Sequence, residues 1–127
     1  MDKLADIVNV AASHEIQDLH EGISNRDQIV RSRQAVALLR DRLHNLEIAL
    51  DRRGLPLTVF NDLAHAYEDT NYALDTLDAY FKSVEADIPA PLEPRGAHIF
   101  AVYVAYQFMD IIFYAEELDA GSENSPG

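Results

Sequence analysis

The sequence predicts an all-α protein, an antiparallel four-helix bundle in which the second and third helices form a long hairpin. Two stripes of mostly apolar residues step by three and then four positions without a break, which is the spacing of one buried face of a long helix. The stripes are Ile29, Ser32, Val36, Leu39, Leu43, Leu46, Leu50 and Phe60, Leu63, Tyr67, Thr70, Leu74, Leu77, Phe81, Val84, Ile88. Gly54 and Pro56 separate them, and since both residue types end helices, the two helices are expected to fold back on each other.

The first helix is predicted over residues 2–21. Its apolar residues share one face, namely Leu4, Ile7, Val8, Ala11, Ala12, Ile16 and Leu19. Glu15 projects near the middle of that face, so we expect a bend or incomplete cover there. Residues 22–25 are expected to form the turn that follows, with Ser24 or Asn25 as the cap of the next helix.

The second helix is predicted over residues 26–53. It closes with arginines in its last turn, which favour the negative end of the helix dipole, and Gly54 is expected just past its end. The third helix is predicted from Thr58, as its cap, to Asp87.

The last predicted helix, residues 95–119, follows a crossover segment. Three prolines between residues 89 and 94 disfavour a helix there and indicate an extended connection. Residues 120–127 are polar and rich in small side chains, which predicts a disordered acidic tail after a single bundle domain of residues 1–119.

The stripes also predict a register for the hairpin. Pairing the two seams in antiparallel layers places Leu39 beside Leu74 and Leu46 beside Tyr67. In the same register small Ser32 faces Phe81. The flanking arginines Arg26, Arg33 and Arg40 then lie opposite Glu85, Asp78 and Asn71.

Composition narrows the function classes. The chain has no cysteine, so disulfides, zinc–thiolate sites, iron–sulfur clusters and thiol nucleophiles do not arise. Its acidic N-terminus does not resemble a secretory signal, and the most apolar stretch, residues 99–115, falls short of the roughly 20 residues that a membrane span needs. We therefore expect a cytoplasmic protein whose last helix is buried, and we expect no cofactor.

The net charge of −12 is unevenly distributed. Residues 1–21 carry −4, residues 22–54 carry +3, and residues 55–127 carry −11. Nucleic acid and anionic membranes both need a positive surface on the protein, so neither is an expected ligand. A protein partner with a basic surface fits this charge better.

Two Asp-x-x-His pairs have a spacing that can bind metal on a helix. They are Asp41/His44 and Asp62/His65. Leu43 and Leu63 point into the predicted seam, so their polar neighbours are expected to point outward, and we expect no metal site. His44 and His98 are also weak catalytic candidates, because nothing in the sequence orients a second catalytic group beside either.

A polar row on the last helix and an acidic face on the third helix remain as candidate sites. The polar row is Tyr103, Gln107, Asp110 and Tyr114, and the acidic face is Asp62, Glu68, Asp69 and Asp75. The polar row is either a pocket around a buried acid, or a structural network or seam that faces water or a second subunit, as in a homodimer. The acidic face either serves solubility or docks a basic partner.

The sequence contains no catalytic signature, so its function class rests on these surfaces. The favoured interpretation is a non-enzymatic interaction protein, an adaptor, regulator or inhibitor that binds its partner through the acidic helical surface. A sharper version is a decoy that imitates the phosphate backbone of nucleic acid. The alternative is a helical-bundle enzyme or ligand-binding protein whose site surrounds Asp110 and the tyrosines of the last helix.

Overall fold

The computed structural model describes residues 3–9 and 14–123, which fold as a bundle of helices with no strand among them. The helices are α1 (Leu4–Val8), α2 (Glu15–Ser24), α3 (Ile29–Arg52), α4 (Asn61–Glu85) and α5 (Pro94–Glu123). Short 3₁₀ turns, Arg26–Gln28 and Leu57–Val59, precede α3 and α4. Helix α3 packs against α1, α2 and α4, and α5 packs against α1, α2 and α4. The predicted all-α bundle with a long hairpin is therefore confirmed.

Both apolar stripes of the hairpin line the core. Every member of the first stripe is buried, and in the second stripe burial holds from Leu63 to Phe81 except at half-buried Tyr67. The second stripe ends outside the core, because Ile88 is exposed. Helix α5 closes the core with Ala97, Ala101, Val104, Phe108, Ile111 and Ala115.

The end of α3 follows the prediction, whereas the start of α4 does not. Gly54 adopts a left-handed φ of +71°, and the amide of Leu55 donates to the carbonyl of Leu50 at 2.9 Å, which closes the helix. Thr58 is not the cap of α4. Pro56 accepts a hydrogen bond from the Val59 amide at 3.1 Å, and this 3₁₀ turn delays the start of α4 to Asn61.

The later boundaries also shift. Helix α4 ends at Glu85, two residues earlier than predicted, and Asp87 adopts a left-handed φ of +58°. The proline-rich crossover contains no helix before Pro94, which begins α5. Helix α5 continues four residues beyond the predicted end at Asp119, to Glu123, and residues 124–127 of the predicted disordered tail lie outside the described residues.

The prediction of one continuous first helix over residues 2–21 is wrong. Helix α1 ends at Val8 with extended backbone at Asn9, and α2 begins at Glu15. The apolar spacing was misleading because the two segments bury their residues separately: Leu4 and Val8 in α1, and Leu19 in α2. Periodicity alone does not distinguish one helix from two that satisfy the same burial.

The predicted turn over residues 22–25 is wrong for residues 22–24, because α2 continues to Ser24. The predicted cap at Asn25 is confirmed, since its side chain accepts a hydrogen bond from the Asp27 amide at 3.0 Å at the start of the 3₁₀ turn. Gly22 lies inside α2, against α3. A Cβ atom on Gly22 would lie 2.0 Å from Oγ and 2.6 Å from Cβ of Ser32, and the Ser32 hydroxyl donates to the Asp18 carbonyl at 2.5 Å. Close packing of α2 on α3 therefore explains both the glycine and the small residue within the α3 stripe.

Ion pairs along the hairpin confirm its antiparallel direction but not the predicted partners. Arg33 pairs with Glu85 at 3.0 Å rather than with Asp78, Arg40 pairs with Asp75 rather than Asn71, and Arg26 pairs with Asp87 at 3.7 Å rather than Glu85. Arginine side chains at the edge of the bundle are long and loosely constrained, so they reach acids further along the chain than the predicted partners. The predicted core layers, such as Leu39 with Leu74, stay a prediction.

Candidate interaction surface

The four carboxylates predicted to form an acidic face are all exposed on α4. They are Asp62, Glu68, Asp69 and Asp75. Asp69 lies beside Tyr103 of α5, and burial followed by this carboxylate raises the pKa of Tyr103. Asp62 lies near Tyr114 of α5, whose pKa is raised by loss of solvent and then by the Asp62 charge. Two of the four acids thus flank α5.

The other edge of the acidic face turns toward α3, where Asp75 forms an ion pair with Arg40. Tyr72 lies between the two edges and is 69% exposed. Glu68 and Asp75 are its i−4 and i+3 neighbours on the helix surface, and Asp69 is its i−3 neighbour. We call this exposed aromatic ring and its carboxylate rim (Glu68, Asp69, Tyr72 and Asp75) the Tyr72 patch.

The polar row of α5 follows the edge between α4 and α5. Gln107 lies beside Tyr103. Asp110 is exposed, so the interpretation of a buried acid does not agree with its position. Tyr114 lines a cavity of about 280 Å³ between the start of α4 and the end of α5, and Asp62 lies at the same cavity.

The outward face of α5 is apolar, although the sequence predicts a buried helix. We call its exposed members, Ile99, Val102, Tyr106, Met109 and Phe113, the α5 outer stripe. Four of the five expose between 56% and 64% of their surface, and Val102 exposes 44%. The expectation of a buried helix therefore holds for one face of α5 only. By length and composition alone α5 also resembles a membrane span, with a mean hydropathy of 1.4 and 28% of that window buried.

Two histidines meet where α2 crosses α5. The Nδ1 atoms of His20 and His98 lie 2.9 Å apart, and the rings stack with centroids 5.2 Å apart. Ser24 lies 3.3 Å from Nε2 of His98, and the ion pair between Arg31 and Glu21 borders the same shallow cavity as His20. One Nδ1 must accept the proton that the other donates, so the contact requires at least one neutral ring.

Because of this histidine pair, we expect the protein to lose stability in mild acid. Burial and then the neighbouring His98 charge lower the pKa of His20 below its usual 6.5. His20 binds a proton more readily in the unfolded chain than in the folded one. The contribution of neutral His20 to the free energy of unfolding is therefore complete above about pH 6.5, and it is lost as the pH falls through the lowered pKa. We expect urea unfolding to show a smaller free energy at pH 5 than at pH 7.5, and this difference to shrink in His20→Gln.

Exposed His65 supplies the control for this measurement. His65→Gln should leave the pH dependence as in the unsubstituted chain. A pH profile that is the same in all three proteins would show that the histidine contact does not contribute to stability.

Two largely buried acids, Glu15 and Asp119, join the first two helices to the rest of the bundle. Glu15 receives both Nε and Nη2 of Arg42 at 2.7 and 2.9 Å, so the acid that interrupts the first apolar face is satisfied by α3. Asp119 accepts hydrogen bonds from the amides of Leu4 and Ala5 at 2.9 and 3.0 Å and lies 3.4 Å from Arg53. The central position of Glu15 was a usable signal, whereas nothing in the sequence connects Asp119 to α1.

The Asp-x-x-His pairs point outward, as predicted. Asp41, His44, Asp62 and His65 are all exposed. Among the residues that the structure describes, no group of three or more histidine, aspartate or glutamate side chains is placed to hold a metal ion.

No protein-family model matches the sequence, and comparison with curated proteins and with solved structures finds no significant similarity. The chemistry of the chain's own surfaces is therefore the basis for its function.

Proposed function

We propose that the protein is a non-enzymatic interaction protein, an adaptor, regulator or inhibitor, that docks a basic protein partner on the Tyr72 patch. The observation that carries this proposal is the exposure of Tyr72 in the middle of three carboxylates. Tyrosines in such positions supply much of the energy of protein interfaces, because a rigid ring buries a large area at a small entropic cost. An arginine of the partner can stack on the ring while the carboxylates neutralise its charge.

The charges around the patch support a basic partner. Lys82 is the only cation in the sequence of α4, and it is engaged with Asp78 at 2.8 Å, beyond the patch. Arg40 of α3 pairs with Asp75, which leaves Glu68 and Asp69 without an ion pair among the described residues. The sequence from residue 55 onward carries −11, so a basic protein is also attracted at long range. The same charge disfavours direct binding of nucleic acid and of anionic membranes. We propose that the protein acts in the cytoplasm, where proteins rarely depend on disulfides, because the chain has no cysteine.

In the decoy version of the proposal, the partner is itself a nucleic-acid-binding protein. The carboxylates would then occupy the positions that phosphates take on its basic surface. Duplex DNA or RNA should compete with this protein for the partner and should not bind the protein itself.

Neutralising the patch is expected to slow association. The triple variant Glu68→Gln/Asp69→Asn/Asp75→Asn keeps the shape of the side chains and removes three charges. Partners captured from the native host at low salt should associate about tenfold more slowly with this variant, while their dissociation rate changes less, because charge steering acts mainly before contact. The effect should disappear at about 0.5 M salt, where screening is strong.

The matched control is Asp27→Asn/Asp41→Asn/Asp51→Asn, which removes the same charge from exposed positions away from the patch. If both triple variants slow association equally, net charge rather than the patch guides the partner. If the association rate changes neither with salt nor in the patch variant, the docking site lies elsewhere and the proposal fails.

The alternative function is that of a ligand-binding bundle, with its site at a cavity beside Tyr114 rather than around Asp110. The cavity of about 280 Å³ is lined by Phe60, Leu63 and Leu118 together with the carboxylates Asp62 and Glu117. Such a lining suits a small organic cation with an apolar body. Tyr114 belongs to this cavity, whereas Asp110 does not.

A further inference from the structure

Helix α5 has two apolar faces, of which the bundle covers only one. The buried face includes Ala101, Val104 and Phe108, and the α5 outer stripe lies on the opposite side. An apolar helix face is normally covered, and exposed apolar patches of this kind mark interaction sites. The uncovered stripe therefore needs an occupant other than the residues that the structure describes.

We propose that the occupant is the same stripe of a second copy of this chain, packed antiparallel across a two-fold axis. The stripe steps by three and four residues, the spacing of the two seams of the hairpin. When two copies of the stripe lie antiparallel, Ile99 of one copy faces Met109 of the other, and Val102 faces Tyr106. The two-fold axis repeats both pairs. Self-complementarity of this kind is what an isologous interface requires.

The charges at the ends of the stripe select the antiparallel direction. Arg95 is exposed one turn before Ile99, and Glu117 is exposed one turn after Phe113. Neither forms an ion pair with any residue described in the structure. In the antiparallel dimer Arg95 of one copy lies beside Phe113 of the other, within reach of Glu117. A parallel dimer would instead bring like charges together.

The area of the stripe predicts a dimer of moderate affinity. Each of the five side chains leaves about 100 Å² exposed, so two stripes and their polar flanks would bury about 1,200 Å², the lower end of the range for specific interfaces. A Kd of about 10 μM is consistent with an interface of this size.

The surroundings of the stripe argue against a lipid bilayer as the occupant. Asp69, Asp110 and Glu117 are exposed beside it or at its end, and the other side of α5 packs against α4, α1 and α2. The two-fold axis also brings the α4 helices of both copies to the same side of the interface. Each copy also carries a net charge of −12, and the resulting repulsion outweighs the attraction of the two Arg95–Glu117 pairs at the ends of the interface. The dimer should therefore tighten with added salt, which is the opposite of the response expected for a basic partner.

Sedimentation of the full chain from roughly 1 to 200 μM, at about 50 and 500 mM NaCl, tests the proposal. We expect a monomer–dimer equilibrium that shifts toward dimer at high salt. Met109→Lys should raise the Kd at least about 30-fold, because the interface would bury an unpaired charge. The matched control is Val30→Lys, at an equally exposed apolar position of α3, which should leave the Kd unchanged.

Charge reversal tests the direction of the helices. Arg95→Glu and Glu117→Arg should each weaken the dimer about five- to tenfold, and the double variant should restore it, since the two reversed charges again face each other across the interface. Circular dichroism confirms that each variant is folded.

Three results would overturn the proposal. The first is a monomer at every concentration and salt. The second is a dimer that Met109→Lys does not weaken, which would place the interface elsewhere. The third is a monomer that binds phosphatidylcholine vesicles and loses this binding in Met109→Lys, which would make lipid the occupant. Because the dimer and the Tyr72 patch respond oppositely to salt, failure of one proposal does not imply failure of the other.

Discussion

Asp119→Ala is expected to lower the free energy of unfolding by about 3–5 kcal/mol, because it removes a buried carboxylate from several partners at once. Asp119 is 7% exposed. Its two oxygens satisfy the first amides of α1, at Leu4 and Ala5, and its Oδ1 lies 3.4 Å from Nη1 of Arg53. Helix α1 has no side-chain cap of its own at Lys3, so this distant carboxylate takes the place of one.

Two further variants separate this role from a general loss of charge. Asp119→Asn retains one acceptor oxygen and should cost about half as much. Glu116→Ala removes an exposed acid from the same helix and should change stability by less than about 0.5 kcal/mol. Urea denaturation gives the three free energies, and hydrogen exchange at the Leu4 and Ala5 amides reports the release of α1. An Asp119→Ala protein as stable as Glu116→Ala would contradict the capping role.

The long hairpin was predictable because both of its signals are local. The stripe from Ile29 to Leu50 identifies a buried helix face without knowledge of its neighbours, and Gly54 marks the turn by a backbone conformation that glycine favours. The start of α4 was less predictable. Thr58 is a good cap in isolation, but the turn that begins at Pro56 takes its place.

The contacts that position the first segment were not predictable, because they join residues far apart in the chain. Helix α1 depends on Asp119 at the other end of the sequence, and α2 depends on the fit of Gly22 to Ser32. No spacing rule connects such pairs. The ion pair of Glu15 with Arg42 is intermediate, since an acid on an apolar face indicates a partner without identifying it.

The candidate sites were predictable as residues but not as surfaces. The acidic side chains of α4 are exposed as expected, yet only the packed helices show that Asp69 contacts α5 while Asp75 contacts α3, with Tyr72 between them. The α5 outer stripe has a visible period in the sequence. Periodicity reveals two apolar faces on that helix, but only the tertiary structure shows which of them the bundle leaves uncovered.

Leu39→Ala is expected to be among the most destabilising single changes in the chain, at about 2–5 kcal/mol, because it leaves a cavity in the middle of the hairpin. Leu39 is fully buried, whereas its neighbour Leu38 is 50% exposed. The two leucines have the same chemistry and the same helix propensity, so Leu38→Ala is a matched control that should cost less than about 1 kcal/mol. With roughly 4 °C lost per kcal/mol at this chain length, thermal unfolding should separate the two variants clearly.

Combining Leu39→Ala with Leu74→Ala tests the predicted register. If Leu39 packs on Leu74, then the double variant Leu39→Ala/Leu74→Ala should cost less than the two single variants together, since both substitutions enlarge one shared cavity. Additive costs would mean that the two residues lie in different layers. Equal costs for Leu38→Ala and Leu39→Ala would be more serious, because they would contradict the burial pattern from which the whole bundle was inferred. The contrast between adjacent leucines therefore tests the orientation of α3 directly, independently of any partner, dimer or ligand.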